Sequence, residues 1–225
     1  GLLGALAAFS DGGEHVAGEV DHASLALAFF GDGAFAVGVF AKRAQAALEY
    51  EKAMCERNRL LTDQVRDAHW YAALELQMAR AGAILHANRV ATVEQLHAAQ
   101  AGSATAFPVA ELTLIQTEGE MPATEPDLRE ALAESRFRDI AAGRSLVGPH
   151  RADLLGTFIA KGVPASECST GEQKALLISL ILANARALAA DTGAPPILLL
   201  DEVAAHLDAG RRAALYDEIC ALGAQ

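Results

Sequence analysis

The chain has 225 residues, of which 18 are basic and 29 acidic, so its formal net charge is −11. The length allows one large domain or two small ones. Hydrophobic residues make up 52% and charged residues 21%, a composition that excludes intrinsic disorder. The acidic balance argues against a generic, histone-like nucleic-acid binder but does not exclude a local basic surface.

Cysteine usage and the apolar runs indicate the compartment. The three cysteines are far apart and form no C-x-x-C pair, so we expect neither a disulfide scaffold nor a thiolate zinc site, and a reducing cytoplasm fits best. No signal-peptide pattern opens the chain, and no apolar run approaches the ~20 residues of a membrane span, so we expect no membrane partner.

The first hundred residues divide into two predicted regions. Residues 1–45 are predicted to be a β-rich segment, because the apolar runs 25–30 and 35–40 flank a Gly-Asp-Gly turn suited to a hairpin. Residues 46–108 are predicted to be a helical lobe of two or three long helices, because apolar residues recur there at helical spacing without proline. Gly82 marks either a break in a helix or a close packing point.

Residues 109–225 mix strand and helix patterns. They predict strands at 111–116, 154–160 and 197–200, a short extended segment at 145–148, and helices from Thr124 to about 142, at 171–190 and at 211–222. The strand at 197–200 has four aliphatic residues between Pro-Pro and Asp-Glu. That pattern is typical of a strand buried on both faces of a parallel sheet.

Two acids, Asp201 and Glu202, follow this last predicted strand. The carboxyl end of such a strand is where α/β proteins bind ligands. One carboxylate there can hold Mg²⁺ through water and the other can polarise an attacking water. A solvated acidic turn is the alternative, and taken alone the two residues do not decide between them.

A second feature is the segment Ser169-Thr170-Gly171-Glu172-Gln173. Ser169 and Glu172 have the spacing of a capping box, which starts a helix with no further function. A helix N-terminus with a glycine also offers free N–H groups and a positive dipole end, which suit a phosphate.

Taken together and in this order, the two features resemble the heads of ABC-type ATPases. In detail the chain resembles the RecF family, which is related to SMC and Rad50 heads. The resemblance covers roughly residues 46–225 and is carried by three segments: Leu146 to Leu154, Cys168 to Lys174, and Pro196 to Asp208. It implies an α/β, P-loop NTPase-like fold, here incomplete, with an inserted helical lobe and with residues 109–225 as the C-terminal half of the head.

The resemblance also implies roles. Asp201 would be the Walker B acid that holds Mg²⁺ through water, and Glu202 the catalytic base. The ABC signature, which reaches the γ-phosphate across a dimer, would be Ser169, Thr170, Gly171, Glu172 and Gln173, and Asp208 would belong to the D-loop. The implied cofactors are ATP and Mg²⁺. The implied partners are double-stranded DNA and gapped junctions, a second copy in an ATP-dependent homodimer, and RecR and RecO.

One departure from the family keeps other interpretations open. The family's phosphate loop has the form G-x-x-x-x-G-K-[ST], and no Gly-Lys dipeptide occurs in this chain. We therefore expect the chain by itself not to bind ATP appreciably, and interpret it as truncated, stitched from pieces or divergent. The alternatives are a non-catalytic scaffold, or another head of the SMC, Rad50 or OLD type.

Five basic side chains form a basic island at residues 136–161: Arg136, Arg138, Arg144, Arg151 and Lys161. Either they form surface ion pairs with the acidic segment 111–135, or they contact DNA or nucleotide phosphates. Arg151 is the strongest single candidate for a phosphate contact, because the preceding Gly-Pro turn would present it rigidly. Arg144 and Arg138 are the next candidates.

Overall fold

The computed structural model describes residues 33–101, 105–198, 200 and 207–224, with side chains from residue 45 onward. In chain order its main elements are α1 (Gly33–Thr62), α2 (Ala68–Ala101), β1 (Ala110–Gln116), α3 (Glu125–Ala142), β2 (Ala152–Phe158), β3 (Val163–Pro164), α4 (Thr170–Thr192) and α5 (Ala209–Leu222). The chain divides into two compact units. We call residues 39–92 and 114–153 the helical unit, and residues 1–38, 93–113 and 154–225 the mixed unit.

The helical unit is built on the long helices that the sequence predicts within residues 46–108. Its apolar core consists of Tyr50, Ala53, Met78, Ala79, Ala81, Leu128 and Leu132. Gly82 is a close packing point inside α2 and not a break. A Cβ atom there would lie 2.7 Å from Cδ2 of Leu128 and 3.1 Å from Cε2 of Tyr50.

A charged cluster lies inside the same unit. The guanidinium of Arg57 is fully buried, with Nη1 2.7 Å from Oδ2 of Asp139 and Nη2 3.2 Å from Oε1 of Glu75. Arg57 also donates to the carbonyl oxygen of Leu132 at 2.9 Å and to Oγ of Ser145 at 2.8 Å. These contacts join α1, α2, α3 and the loop after α3.

The same cluster balances its charges. Arg136 of α3 lies 2.5 Å from the second oxygen of Glu75, so two arginines face two carboxylates. A buried ion that is paired and hydrogen-bonded on every side avoids most of the cost of leaving water, whereas one that loses its partner does not. We therefore expect the helical unit to depend on the complete set of four charges.

The predicted ends of α3 are confirmed. Thr124 caps the helix and its hydroxyl accepts a hydrogen bond from the N–H of Asp127, with Pro126 in the first turn. Gly143 ends the helix in the left-handed conformation, at φ 66°. The extended segment predicted at 145–148 is an irregular loop that leads into a short 3-10 turn, Pro149–Arg151.

The sheet has the order β1-β2-β3. Phe158 lies opposite Val163 where β2 pairs with β3 in antiparallel fashion. The N–H of Thr117 donates to the carbonyl of Arg151, and that of Ile159 to the carbonyl of Val109, so β1 and β2 are also antiparallel. The strand predicted at 111–116 is confirmed, and the one predicted at 154–160 begins and ends two residues earlier.

Helix α4 is the main core element of the mixed unit. It contributes Leu176, Leu180 and Ala183 to one apolar cluster, and Ala175, Ile178 and Leu182 to a second that includes Leu207 and Leu215. By length and composition alone α4 could cross a membrane, so the expectation that no apolar run reaches that length is wrong. Its burial in two clusters is what the core helices of globular proteins show.

Two predicted strands are not observed. Residues 33–40 are helical and form the first turns of α1, so the strand predicted at 35–40 is wrong. The alanine-rich sequence around them favours helix. The other arm of that hairpin, 25–30, lies outside the described residues.

The strand predicted at 197–200 is also wrong. Residues 197, 198 and 200 are not in a strand, and the side chain of Ile197 is 43% exposed. Leu198 and Leu200 pack against the second α4 cluster instead. A central strand needs neighbours to pair its N–H and C=O groups, and none of the described strands runs beside these residues.

Replacing Arg57 by methionine should lower the free energy of unfolding by about 3–5 kcal/mol, because Asp139 and Glu75 would keep buried charges without their partner. Denaturant unfolding measures this change. Arg59→Met is the matched control, since Arg59 lies two residues away with its side chain 84% exposed. A loss in the Arg57 variant no larger than in the control would contradict the prediction.

Candidate functional site

The candidate site is the turn that starts α4, residues 168–173, which we call the signature turn. Ser169 is the N-cap, and Ser169, Thr170 and Gly171 are all exposed. A Cβ atom on Gly171 would meet nothing within 4 Å, so the approach to the helix end is open. Behind it, the next turns of α4 are buried, which fixes the direction of the helix axis.

Glu172 folds back onto the cap. One carboxylate oxygen, Oε2, accepts hydrogen bonds from the N–H of Ser169 at 3.0 Å and from its hydroxyl at 2.8 Å. The predicted capping box is therefore confirmed. The hydroxyl hydrogen of Ser169 is engaged by Glu172 in this arrangement.

A lysine from a different segment meets the other oxygen of Glu172. Nζ of Lys161 lies 2.5 Å from Oε1, and the lysine side chain remains 51% exposed. The Lys161 ammonium, helped by the two hydrogen bonds from Ser169, lowers the pKa of Glu172 to about 2. The same contact raises the pKa of Lys161, so both groups are charged at neutral pH.

Gln173 secures the other side of the signature turn. Its amide nitrogen donates to the carbonyl of Cys168 at 3.1 Å and to that of Ser166 at 3.3 Å. The side chain therefore supports the turn from within. A contact of Gln173 with nucleotide, as the resemblance implies, stays a prediction.

Chemically, this arrangement suits an oxygen-rich anion. The positive end of the 23-residue helix, with exposed Thr170 and Gly171, offers hydroxyl and N–H donors of the kind that bind phosphate, whereas the donors of Ser169 are engaged by Glu172. Capping and phosphate binding use the same geometry, so confirming the first does not exclude the second. Glu172 would repel an anion at the helix start, and Lys161 offsets its charge.

The other predicted site residues of this region lie downstream. Asp208 caps α5, with Oδ1 accepting from the N–H of Arg211 at 2.9 Å. Its neighbour Leu207 is buried in the same cluster as Ile178 of α4. Asp201 and Glu202 lie outside the described residues, and within the described part no group of three or more His, Cys, Asp or Glu side chains is placed to hold a metal ion.

The Gly148-Pro149-His150-Arg151 motif lies in the helical unit and is built around Tyr50. Gly148 has φ 134°, and a Cβ atom there would clash with the hydroxyl of Tyr50, so both the backbone and the space require glycine. Nδ1 of His150 lies 2.7 Å from that hydroxyl, and Nε2 lies 3.0 Å from the carbonyl of Ser145.

These contacts fix the tautomer of His150. The carbonyl of Ser145 only accepts, so Nε2 carries the hydrogen and Nδ1 accepts from the Tyr50 hydroxyl. Burial lowers the pKa of His150, the charges of Arg151 and Arg57 act in the same direction, and the Ser145 hydrogen bond and Asp139 oppose them. Burial also raises the pKa of Tyr50. Neutral histidine is thus part of the fold.

The basic island divides into two groups. Arg136 and Lys161 form ion pairs with Glu75 and Glu172, neither of which belongs to the acidic segment 111–135. Arg138 and Arg144 are exposed, and Arg151 is half-buried. Among the described residues none forms an ion pair with the three arginines named as phosphate contacts, so these are the members that remain for an outside partner.

Sequence reasoning missed the pairings that organise these regions. Arg57 with Asp139, Tyr50 with His150 and Lys161 with Glu172 join residues 82, 100 and 11 positions apart. Nothing in a single sequence marks such partners. For Lys161 there was a partial signal, because a lysine before glycine at a strand end predicts an exposed turn.

Comparison with known proteins gives consistent matches. The chain is similar to the DNA replication and repair protein RecF of Mesorhizobium japonicum, at 49% identity over 189 residues, which is 80% of this chain and 50% of the relative. It is 50% identical to RecF of Allorhizobium ampelinum over 186 residues, again 80% of this chain and 50% of the relative. No family model matches.

Solved structures agree on the fold. A structure of the recombination mediator protein RecF with ATP, from the RecFOR pathway, superposes with a TM-score of 0.63 at 23% identity, covering 78% of this chain and 50% of that one. The predicted α/β, ABC-type head fold is therefore confirmed. The chain spans about half the length of the curated relatives it matches.

The neutral state of His150 predicts a pH dependence of stability. Its pKa is below the ordinary value of 6.5 in the folded protein, so the unfolded chain binds a proton first as the pH falls. The contribution of His150 is complete above about pH 6.5 and decreases as the pH falls below it.

His150→Gln should therefore lose less stability than wild type between about pH 7.5 and about pH 5.5. Thermal unfolding at the two pH values measures the difference. His69→Gln, at an exposed histidine, is the control and should keep the wild-type dependence. Parallel pH profiles for wild type and His150→Gln would refute a neutral, half-buried His150.

Proposed function

We infer, from about 50% identity to RecF proteins over four fifths of the chain, that this protein belongs to the RecF family and carries the signature-bearing half of an ABC-type ATPase head. The observation that supports this most is the signature turn, where exposed Ser169, Thr170 and Gly171 begin a helix anchored in two apolar clusters. The function follows as ATP-dependent dimerisation on DNA with slow ATP hydrolysis, in DNA replication and recombinational repair.

Within that function the signature turn binds phosphate in trans. Ser169 and the first N–H groups of α4 face the γ-phosphate of ATP held by a second copy. The open space around Gly171 and the positive helix end fit such a ligand. Each head of the homodimer thus completes the nucleotide site of the other, and Asp208 lines the same interface.

Hydrolysis is assigned to the two acids after residue 200. Asp201 holds Mg²⁺ through water, and the ion supplies neutralising charge on the phosphates. Glu202 accepts a proton from the attacking water. The assignment rests on the family motif, since both residues lie outside the described part of the chain.

The remaining partners follow from the family. The substrate is double-stranded DNA with gapped junctions, contacted by Arg138, Arg144 and Arg151, and RecR and RecO act with the protein when recombinase is loaded. The protein acts in the cytoplasm. A non-catalytic scaffold is the second candidate, and the absence of a Gly-Lys phosphate loop from the 225 residues favours it.

Glu202→Gln in the full-length gene product should lower ATP hydrolysis by roughly 10²-fold or more, because the proton of the attacking water loses its acceptor. ATP binding should remain, so the ATP-bound dimer should accumulate, as measured by analytical ultracentrifugation. Glu134→Gln, at an exposed glutamate, is the control. A Glu202→Gln protein that binds ATP yet stays monomeric would contradict the proposed function and leave the scaffold as the better candidate.

Replacing Arg138 and Arg144 together by glutamine should weaken binding of double-stranded DNA about equally for all sequences. The slope of log affinity against log salt should decrease by about 0.9 for each phosphate that the variant no longer neutralises. Fluorescence anisotropy at several salt concentrations measures both quantities. Arg59→Gln is the control, and a double variant with the control's affinity and slope would remove these arginines from the DNA surface.

A further inference from the structure

Lys161 has no role in the proposed function, although it contacts a residue of the signature turn. It lies in the four-residue turn between β2 and β3, where the N–H groups of Lys161 and Gly162 donate to the carbonyl of Phe158 at 3.1 and 2.8 Å. Gly162 adopts the left-handed conformation, at φ 66°. The turn is therefore defined, and it presents the lysine to α4 from a separate segment.

The signature turn contains a conflict of charge that this lysine resolves. Glu172 is needed as the capping acid, since it receives the N–H and hydroxyl of Ser169. A phosphate that approached Ser169 would meet the same carboxylate, and two anions at short range repel each other. Nζ of Lys161 lies at the oxygen of Glu172 that Ser169 does not use.

We propose that Lys161 is a positioning residue of the signature turn, which holds and neutralises the Glu172 carboxylate so that Ser169 and the N-terminus of α4 can accept an anionic phosphate. This inference rests on the proposed function. Lys161 acts through Glu172, and no contact of its own with nucleotide is required. The exposure of the pair allows the carboxylate to release the Ser169 hydroxyl when the phosphate arrives.

If the inference holds, the effect of Lys161→Met on dimer affinity depends on whether Glu172 carries its charge. Lys161→Met leaves an uncompensated carboxylate at the helix end and should weaken the ATP-dependent dimer about two- to fivefold, the size expected for one exposed charge pair. Glu172→Gln keeps an acceptor for capping and removes the charge. The double variant Lys161→Met/Glu172→Gln should therefore recover most of the affinity, and Lys161→Arg should stay close to wild type.

The experiment measures the dimer dissociation constant of the full-length gene product by analytical ultracentrifugation with ATP, at low and high salt. Lys52→Met is the matched control, at an exposed lysine of α1. Wild type should lose affinity with salt more steeply than Lys161→Met, a difference that a purely structural role would not produce. Thermal unfolding of each variant shows whether the fold is intact.

The outcomes separate the two proposals. A wild-type protein that binds ATP without dimerising would overturn the proposed function and the inference with it. A wild-type dimer with Lys161→Met equal to Lys52→Met would overturn the inference alone. So would a double variant as weak as Lys161→Met, because the weakening would then not arise from the charge of Glu172.

Discussion

The buried guanidinium of Arg57 is the constraint on which the helical unit depends. A planar group with five donors can be taken out of water only where acceptors meet it on several sides, and here they come from α2, α3 and the loop at Ser145. The three segments must therefore lie where the guanidinium requires. Ser145 connects this cluster to a second set of hydrogen bonds. Its carbonyl accepts from Nε2 of His150, and Nδ1 of His150 accepts from the hydroxyl of Tyr50.

The mixed unit is ordered differently, by apolar contact on two sides of α4. Its buried residues leave little freedom for rotation of the helix about its axis, since leucine and isoleucine side chains fill both clusters. Because these later residues hold the helix in place, Ser169 and Gly171 at its start do not have to pack against the core. A rigid helix whose N-terminus presents exposed donors can bind an anion better than a mobile loop would.

Local signals in the sequence predicted much of this. Thr124 and Gly143 bounded α3, Ser169 and Glu172 formed the predicted capping box, and the apolar periodicity gave the long helices, because each depends on neighbours a few residues away. The strand predicted at 197–200 is wrong because a short apolar run becomes a strand only when another strand pairs with it, and the one at 35–40 is wrong because its alanine-rich sequence favours helix. The partners of Arg57 and Glu172 could not be predicted, since they are set by tertiary packing between distant segments.

The two ion pairs also differ in what they permit. Arg57 is wholly buried, so separating it from Asp139 would strand two charges away from water, and the pair acts as a permanent joint. Lys161 and Glu172 are partly exposed, where water and salt replace a missing partner at little cost. Under the proposed function, in which the signature turn accepts a phosphate and later releases it, a contact of the second kind is needed. The exposed pair lies at the signature turn of the mixed unit, where a reversible contact suits the proposed phosphate site, whereas the buried pair holds the core of the helical unit together.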